Sequence, residues 1–281
     1  MPSKRVTAYR QIIEPIFLAH YTEGDRQVDF TRQEISETAT RLGIDIPSNV
    51  GDVVYTFRYR DDLPVAITSL APAGHDWIIL PVGRGRYRFA ATTYSLVVPN
   101  PGLVETKIPD ATPGVISMYA LSDEQALLAK LRYNRLIDIF AGMVAYPLQS
   151  HLRTTEPDMG QVETDDVYIG IDRHGVHYVL PVQAKAASRT RRGGGRTNTR
   201  DRLSIVQIIQ DFGVGETKFR DLICKPIAAQ FMEDDLIALF SFEKTDAGVA
   251  LQSERHFRLV PPDQLSLEEL AIYRGRVSGD S

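Results

Sequence analysis

Apolar residues recur at helical spacing early in the chain and at strand spacing later. Gln11 to Tyr21 carries Ile12, Ile13, Ile16, Phe17 and Leu18, a helical pattern interrupted by Pro15. Thr31 and Glu34 have capping-box spacing, Ile35, Ala39 and Leu42 share one face, and Gly43 is placed to end that helix. The segment Ile44 to Asp52 turns into a second short element, helix or strand, over Val53 to Tyr59. Asp76 to Pro81 and Arg86 to Ala90 read as strands joined by Val82-Gly-Arg-Gly-Arg. Helix, turn, helix and a hairpin with a basic tip predict a winged-helix-like module, with Tyr55, Arg58, Arg60, Arg84, Arg86 and Arg88 as DNA contacts.

The second half has its own pattern. Ser122 and Gln125 begin a helix reaching about Phe140, with Leu127, Leu128, Leu131, Ile137 and Phe140 apolar. Gln161 to Ile171 and Val176 to Ala186 read as strands, joined by a turn in which Gly175 supplies a positive φ. Leu203 to Phe212 reads as a helix, and Ile223 to Phe231, Leu236 to Phe242 and His256 to Val260 as strands. Pro99, Pro101, Pro109 and Pro113 break the chain between the halves. The expected fold is α/β (α+β): an N-terminal DNA-recognition module over 1–115 and a second domain over 116–281, with a mixed sheet flanked by helices.

Composition excludes several classes. The 281 residues are 43% hydrophobic and 24% charged, as in a soluble globular protein. One cysteine, Cys224, allows no internal disulfide, and its apolar surroundings suit a buried hydrophobe. The start of the chain is polar and lacks a signal-type apolar core, and no membrane-length apolar run occurs, so a cytoplasmic location is expected. His174 and His177 form at most half of a zinc site, and no phosphate loop, dinucleotide fingerprint or serine elbow is present. The net charge of −4 argues against a general nucleic-acid coat, but the charge is unevenly spread. Between Lys185 and Arg202 there are seven basic residues and one acid.

The predicted hairpin concentrates chemistry. Glu163 and Asp165 share one strand face, as do Gln183 and Lys185. With an odd-numbered loop, such as three residues closed by a bulge at Gly175, Asp165 lies opposite Gln183 and Glu163 opposite Lys185. An even loop substitutes Asp166 for Asp165. Close carboxylates repel unless a cation lies between them. Mg²⁺ takes oxygen donors, here Asp165, Gln183 Oε1, the Ala184 carbonyl and Glu163. Lys185 would then stabilise charge on a phosphate or orient the attacking water.

These residues resemble the PD-(D/E)XK nuclease superfamily, whose pattern is an acid in one strand and (D/E)-x-K in the next, within an αβββαβ core. Glu163-Thr-Asp165-Asp166 and Gln183-Ala-Lys185, with 18 residues from Asp165 to Gln183, carry the likeness over roughly residues 120–260. No Pro precedes the acid, and Gln183 stands where an acid is usual. The resemblance implies a type II restriction endonuclease: Mg²⁺-dependent, acting on double-stranded DNA, working as a homodimer beside a cognate DNA methyltransferase, with Asp165, Gln183, Lys185 and Glu163 catalytic. Arg189, Arg191, Arg192 and Arg196 of the loop after Lys185 would meet the phosphate backbone, with Arg58, Arg84 and Arg86 from the first half. Gln207 would lie near the lysine, and Glu124 or Asp138 in the preceding helix would add a carboxylate or serve as plain helix-face charges. A nicking nuclease of repair or transposition, and a non-catalytic DNA-binding regulator, are the competing expectations.

Overall fold

The computed structural model describes residues 4–120, 123–185, 203–233, 235–246 and 248–277. Along the chain run α1 (Lys4–His20), β1 (Gln27–Thr31), α2 (Arg32–Leu42), α3 (Gly51–Tyr59), α4 (Val65–Thr68), β2 (Asp76–Pro81) and β3 (Arg86–Thr92). There follow β4 (Glu105–Pro109), α5 (Gly114–Tyr119), α6 (Asp123–Tyr133), α7 (Leu136–Ala141), β5 (Val144–Glu156), β6 (Gly160–Ile171) and β7 (His177–Lys185). The remainder holds α8 (Ile205–Lys218), β8 (Ile223–Cys224), β9 (Ile227–Phe231), β10 (Leu236–Thr245), β11 (Gly248–Val260) and α9 (Leu267–Val277).

In the first half, helices cover a small antiparallel sheet of order β1-β3-β2. Pro15 sits inside α1 without ending it. The helix is held by burial of Tyr9, Ile12, Ile13, Ile16 and Phe17 in one core, where Phe17 meets Trp77 and Phe89 edge-on. That burial offsets the roughly 3 kcal/mol that an internal proline costs. Thr31 and Glu34 form the expected capping box on α2, and Gly43 ends it at φ 64°. The segment Val53 to Tyr59 is helical, because Val53, Val54 and Phe57 bury on one face.

The second half is a mixed eight-stranded sheet with helices on both faces. Its main path runs β4-β11-β10-β9-β7-β6-β5, and β8 pairs with β7. The β7–β9 and β4–β11 pairs are parallel and the other pairs along the path antiparallel. Alternation divides the sheet cleanly. Ile227, Ala229, Ile237 and Leu239 face α6 and α7, while Ala228, Ala238 and Phe240 face α8.

Three sequence expectations are corrected. The helix expected from Ser122 to Phe140 is two helices, because Arg135 takes a left-handed conformation at φ 53° between α6 and α7. The hairpin loop has five residues, 172–176, in which the Asp172 carboxylate accepts the amides of His174 and Val176. Strand β4, placed before residue 115 with the first half, lies in the sheet of the second half. The halves also share a core: Ile78 and Val97 pack with Ile205, Val206 and Phe212 of α8.

Candidate active site

The site lies where the β6–β7 hairpin opens. The hairpin ladder runs from Ile171↔His177 to Asp166↔Val182, a register that carried one step further sets Asp165 opposite Gln183. There the strands part, and β7 continues against β9 from Val182↔Ile227 to Lys185↔Gln230. The Asp165 carboxylate replaces the missing rung: its Oδ2 accepts the Ala184 amide at 2.8 Å. Strand β6 also changes face here. Strict alternation would put Thr164 and Asp166 on one side. Instead Thr164 donates to Asp211 of α8, whereas Asp166 takes Arg132 of α6 at 2.8 Å and the Ser150 hydroxyl at 3.0 Å. Asp166 is thereby committed to an ion pair, and Asp165 is left at the opening.

Two further groups converge on Asp165. Ser150↔Asp166 and Leu152↔Thr164 bracket His151, which sits opposite Asp165 in β5 at a left-handed φ of 50°. Glu124 reaches in from the first turn of α6. One ligand atom each of Glu124, His151 and Asp165 lie within 4.8 Å of one another. Asp165 is only 7% exposed, and burial raises its pKa, opposed first by Lys185, then by the Ala184 amide and His151. Lys185 is therefore within electrostatic reach of Asp165.

Gln183 and Glu163 are elsewhere. Gln183 is 1% exposed, and both ends of its carboxamide are engaged. Nε2 donates to both carboxylate oxygens of Asp211 at 3.1 Å and to the Glu163 carbonyl, while Oε1 accepts Gln207 Nε2 at 2.9 Å. It is thus a buried linker between β7 and α8, not the expected metal ligand. Glu163 points to the surface, its side chain 45% exposed and paired across strands with Arg153. Its charge raises the pKa of Asp165, less than burial does. Ala184 presents its amide, not its carbonyl, to Asp165.

Asp211 anchors this network. It is fully buried, takes the Thr164 hydroxyl at 2.6 Å, and burial pushes its pKa up to about 8 despite Thr164 and Gln183. At neutral pH it holds its proton in most molecules. Gln207 links the network to the start of α8, where Ser204 caps the helix and Gln207 completes the capping box. Next to Asp211, Gln210 accepts the Tyr59 hydroxyl of α3 at 3.1 Å.

The expected DNA contacts divide. Arg84 and Arg86 are exposed at the β2–β3 tip. Arg60 is exposed and lies over the Tyr55 ring, and Arg88 pairs with Asp29. Arg58 is corrected: its Nε donates to the Ile79 carbonyl, its guanidinium lies over Tyr87, and Nη2 is buried. Arg189, Arg191, Arg192 and Arg196 lie outside the described residues.

Glu124 and His151 were visible in the sequence, but nothing in its spacing brought them to Asp165. That needs the face change in β6 and the unusual backbone of His151. Asp211 had a signal: a lone acid inside the apolar run Ile208 to Val214 of a helix. Compared with known proteins, the chain matches no family model, no curated protein and no solved structure.

Proposed function

We propose that the chain is a metal-dependent DNA endonuclease of PD-(D/E)XK type, hydrolysing phosphodiester bonds, with a restriction role as its use. One observation carries this reading: at the open end of adjacent strands Asp165 lies within electrostatic reach of Lys185, beside a second carboxylate and an imidazole. The element order supports it, since α6–α7, β5, β6, β7, α8 and β9 follow the helix, three strands, helix, strand sequence of that core. The first half supports a winged-helix reading through its order of helix, strand, three helices and hairpin, with sheet order β1-β3-β2.

The donors fit a divalent cation. Asp165 Oδ1 meets no hydrogen-bond donor among the described residues although the carboxylate is buried, and Glu124 and His151 stand beside it. Asp165 and Glu124 would hold Mg²⁺, which would supply Lewis acidity at the phosphate and lower the pKa of water so that hydroxide is available as the nucleophile. Lys185 stabilises the charge that develops on the phosphate oxygens as water adds and the ester oxygen departs. Gln183, through Asp211 and Gln207, fixes the end of β7 from which Lys185 projects. Double-strand cutting needs two such sites, which a two-fold dimer on a symmetric DNA site provides, and a restriction role implies a partner methyltransferase.

The test is cleavage of mixed plasmid and phage DNA with Mg²⁺ or EDTA. Discrete fragments are expected only with metal, and Lys185→Ala should lower the rate by about 10² or more. Open-circle product alone would favour a nicking enzyme. No cleavage of any DNA, methylated or not, together with retained binding, would leave a DNA-binding regulator.

A further inference from the structure

We propose that Glu124, His151 and Asp165 form a cation site that prefers first-row transition ions to Mg²⁺, with His151 as a nitrogen ligand. The inference rests on the nuclease reading only for what the site is used for; the binding claim stands on the geometry. Three donors from three elements, α6, β5 and β6, converge within 4.8 Å. Asp165 is buried, and of its two oxygens only Oδ2 has a donor among the described residues. A largely buried carboxylate with one oxygen left without a donor is stabilised by a cation.

The donor set decides which cation. In an all-oxygen site, Gln183 Oε1 or Glu163 would be the third ligand. Gln183 Oε1 is occupied by Gln207, and Glu163 faces Arg153. The group that takes that place is His151. Mg²⁺ binds oxygen and resists exchanging water for imidazole, whereas first-row transition ions accept imidazole readily. The backbone also brings the ring to the site. A φ of 50° is costly for most residues and most tolerable for Asn, Asp and His. At a regular extended φ the side chain would follow the alternation of β5.

Mn²⁺ is the stringent probe, because among these ions it is closest to Mg²⁺ in its taste for oxygen. Mn²⁺ is titrated into the full chain and followed by electron spin resonance, with Mg²⁺ as competitor, and the spin echo reports nitrogen bound to the ion. Mn²⁺ should bind at least about tenfold more tightly than Mg²⁺, with an imidazole nitrogen coupling. His151→Asp keeps a residue tolerant of this backbone and substitutes oxygen for nitrogen. It should abolish the coupling and narrow the preference. His151→Gly relieves the backbone and removes the ligand, and should weaken Mn²⁺ at least about tenfold. Equal affinity for the two ions, absence of Mn²⁺ binding, or Mn²⁺ bound without a nitrogen signal would overturn the inference. Cleavage run in parallel separates the two claims. His151-dependent Mn²⁺ binding without cleavage by either ion upholds the site and rejects the nuclease. Mg²⁺-supported cleavage without nitrogen coupling does the reverse.

Discussion

A glutamine at position 183 makes sense once Asp211 is seen beneath it. The carboxamide donates to Asp211 and accepts from Gln207, and an acid could do only the second. Gln183→Glu should therefore cost about 1–3 kcal/mol above about pH 8, where Asp211 is ionised and cannot donate to the new carboxylate. Adding Asp211→Asn returns a donor and should recover most of that stability, which a denaturant-melt double-mutant cycle would measure. Asp211 also ties stability to pH. Its pKa rises from 3.8 to about 8 on folding, so the folded chain binds this proton more tightly than the unfolded chain. Its contribution to stability is fully present below about pH 4 and is lost as pH rises through about 8. Melting temperature relative to Asp211→Asn should thus fall between pH 5 and pH 8; a constant difference would mean that Asp211 is ionised throughout. The sequence placed Asp165 and Lys185 on two adjoining strands. It could not show that Gln183 is already engaged, because its partners lie 24 and 28 residues away on α8.

Elements whose pattern follows one face were legible, and those shaped by an edge or a break were not. Strands β7, β9 and β10 are mostly apolar because they are inner strands, and both ends of α2 are written in Thr31, Glu34 and Gly43. Strand β5 is as long as any strand here but gave no signal. It is an edge with little burial, interrupted by Pro147, a register shift and the left-handed His151. Missing β5 hid the place of His151. The approach of α8 to the sheet yields a further prediction. A Cβ at Gly215 would collide with the Cβ and Sγ of Cys224 in β8, neither of which lies at the end of a long flexible chain. Gly215→Ala should destabilise by about 1–3 kcal/mol despite its better helix propensity. Cys224→Gly, which removes both obstructing atoms, should recover part of that stability in a denaturant melt. Destabilisation undiminished in the double mutant would place the strain elsewhere.

At the scale of the molecule, the two halves behave as one packed body at α8. Leu96 bridges Ser204, the Val97 amide donates to Leu203, and Ile205 donates to Ser95, so the segment after β3 is stitched to the start of the helix that carries Gln207 and Asp211. Ile78 and Val97 complete the core on that face, and Tyr59 of α3 reaches Gln210. A DNA-reading first half would therefore be rigidly placed relative to the site, not tethered to it. On that reading, contact with phosphate would fall first on Arg84 and Arg86, exposed beside glycines at the β2–β3 tip, because Arg58 is turned inward and Arg88 is paired. Binding can be isolated from cutting with Lys185→Ala in EDTA. If the tip lies on the backbone, Arg84→Ala with Arg86→Ala should weaken binding to all duplex sequences about equally. It should also reduce the slope of log affinity against log salt by about 2, close to one for each phosphate no longer neutralised. A changed sequence preference with an unchanged slope would instead mean that the tip reads bases. An unaltered affinity would move the DNA to another face and remove the winged-helix reading of the first half, while leaving the chemistry at Asp165 and Lys185 to be judged by cleavage alone.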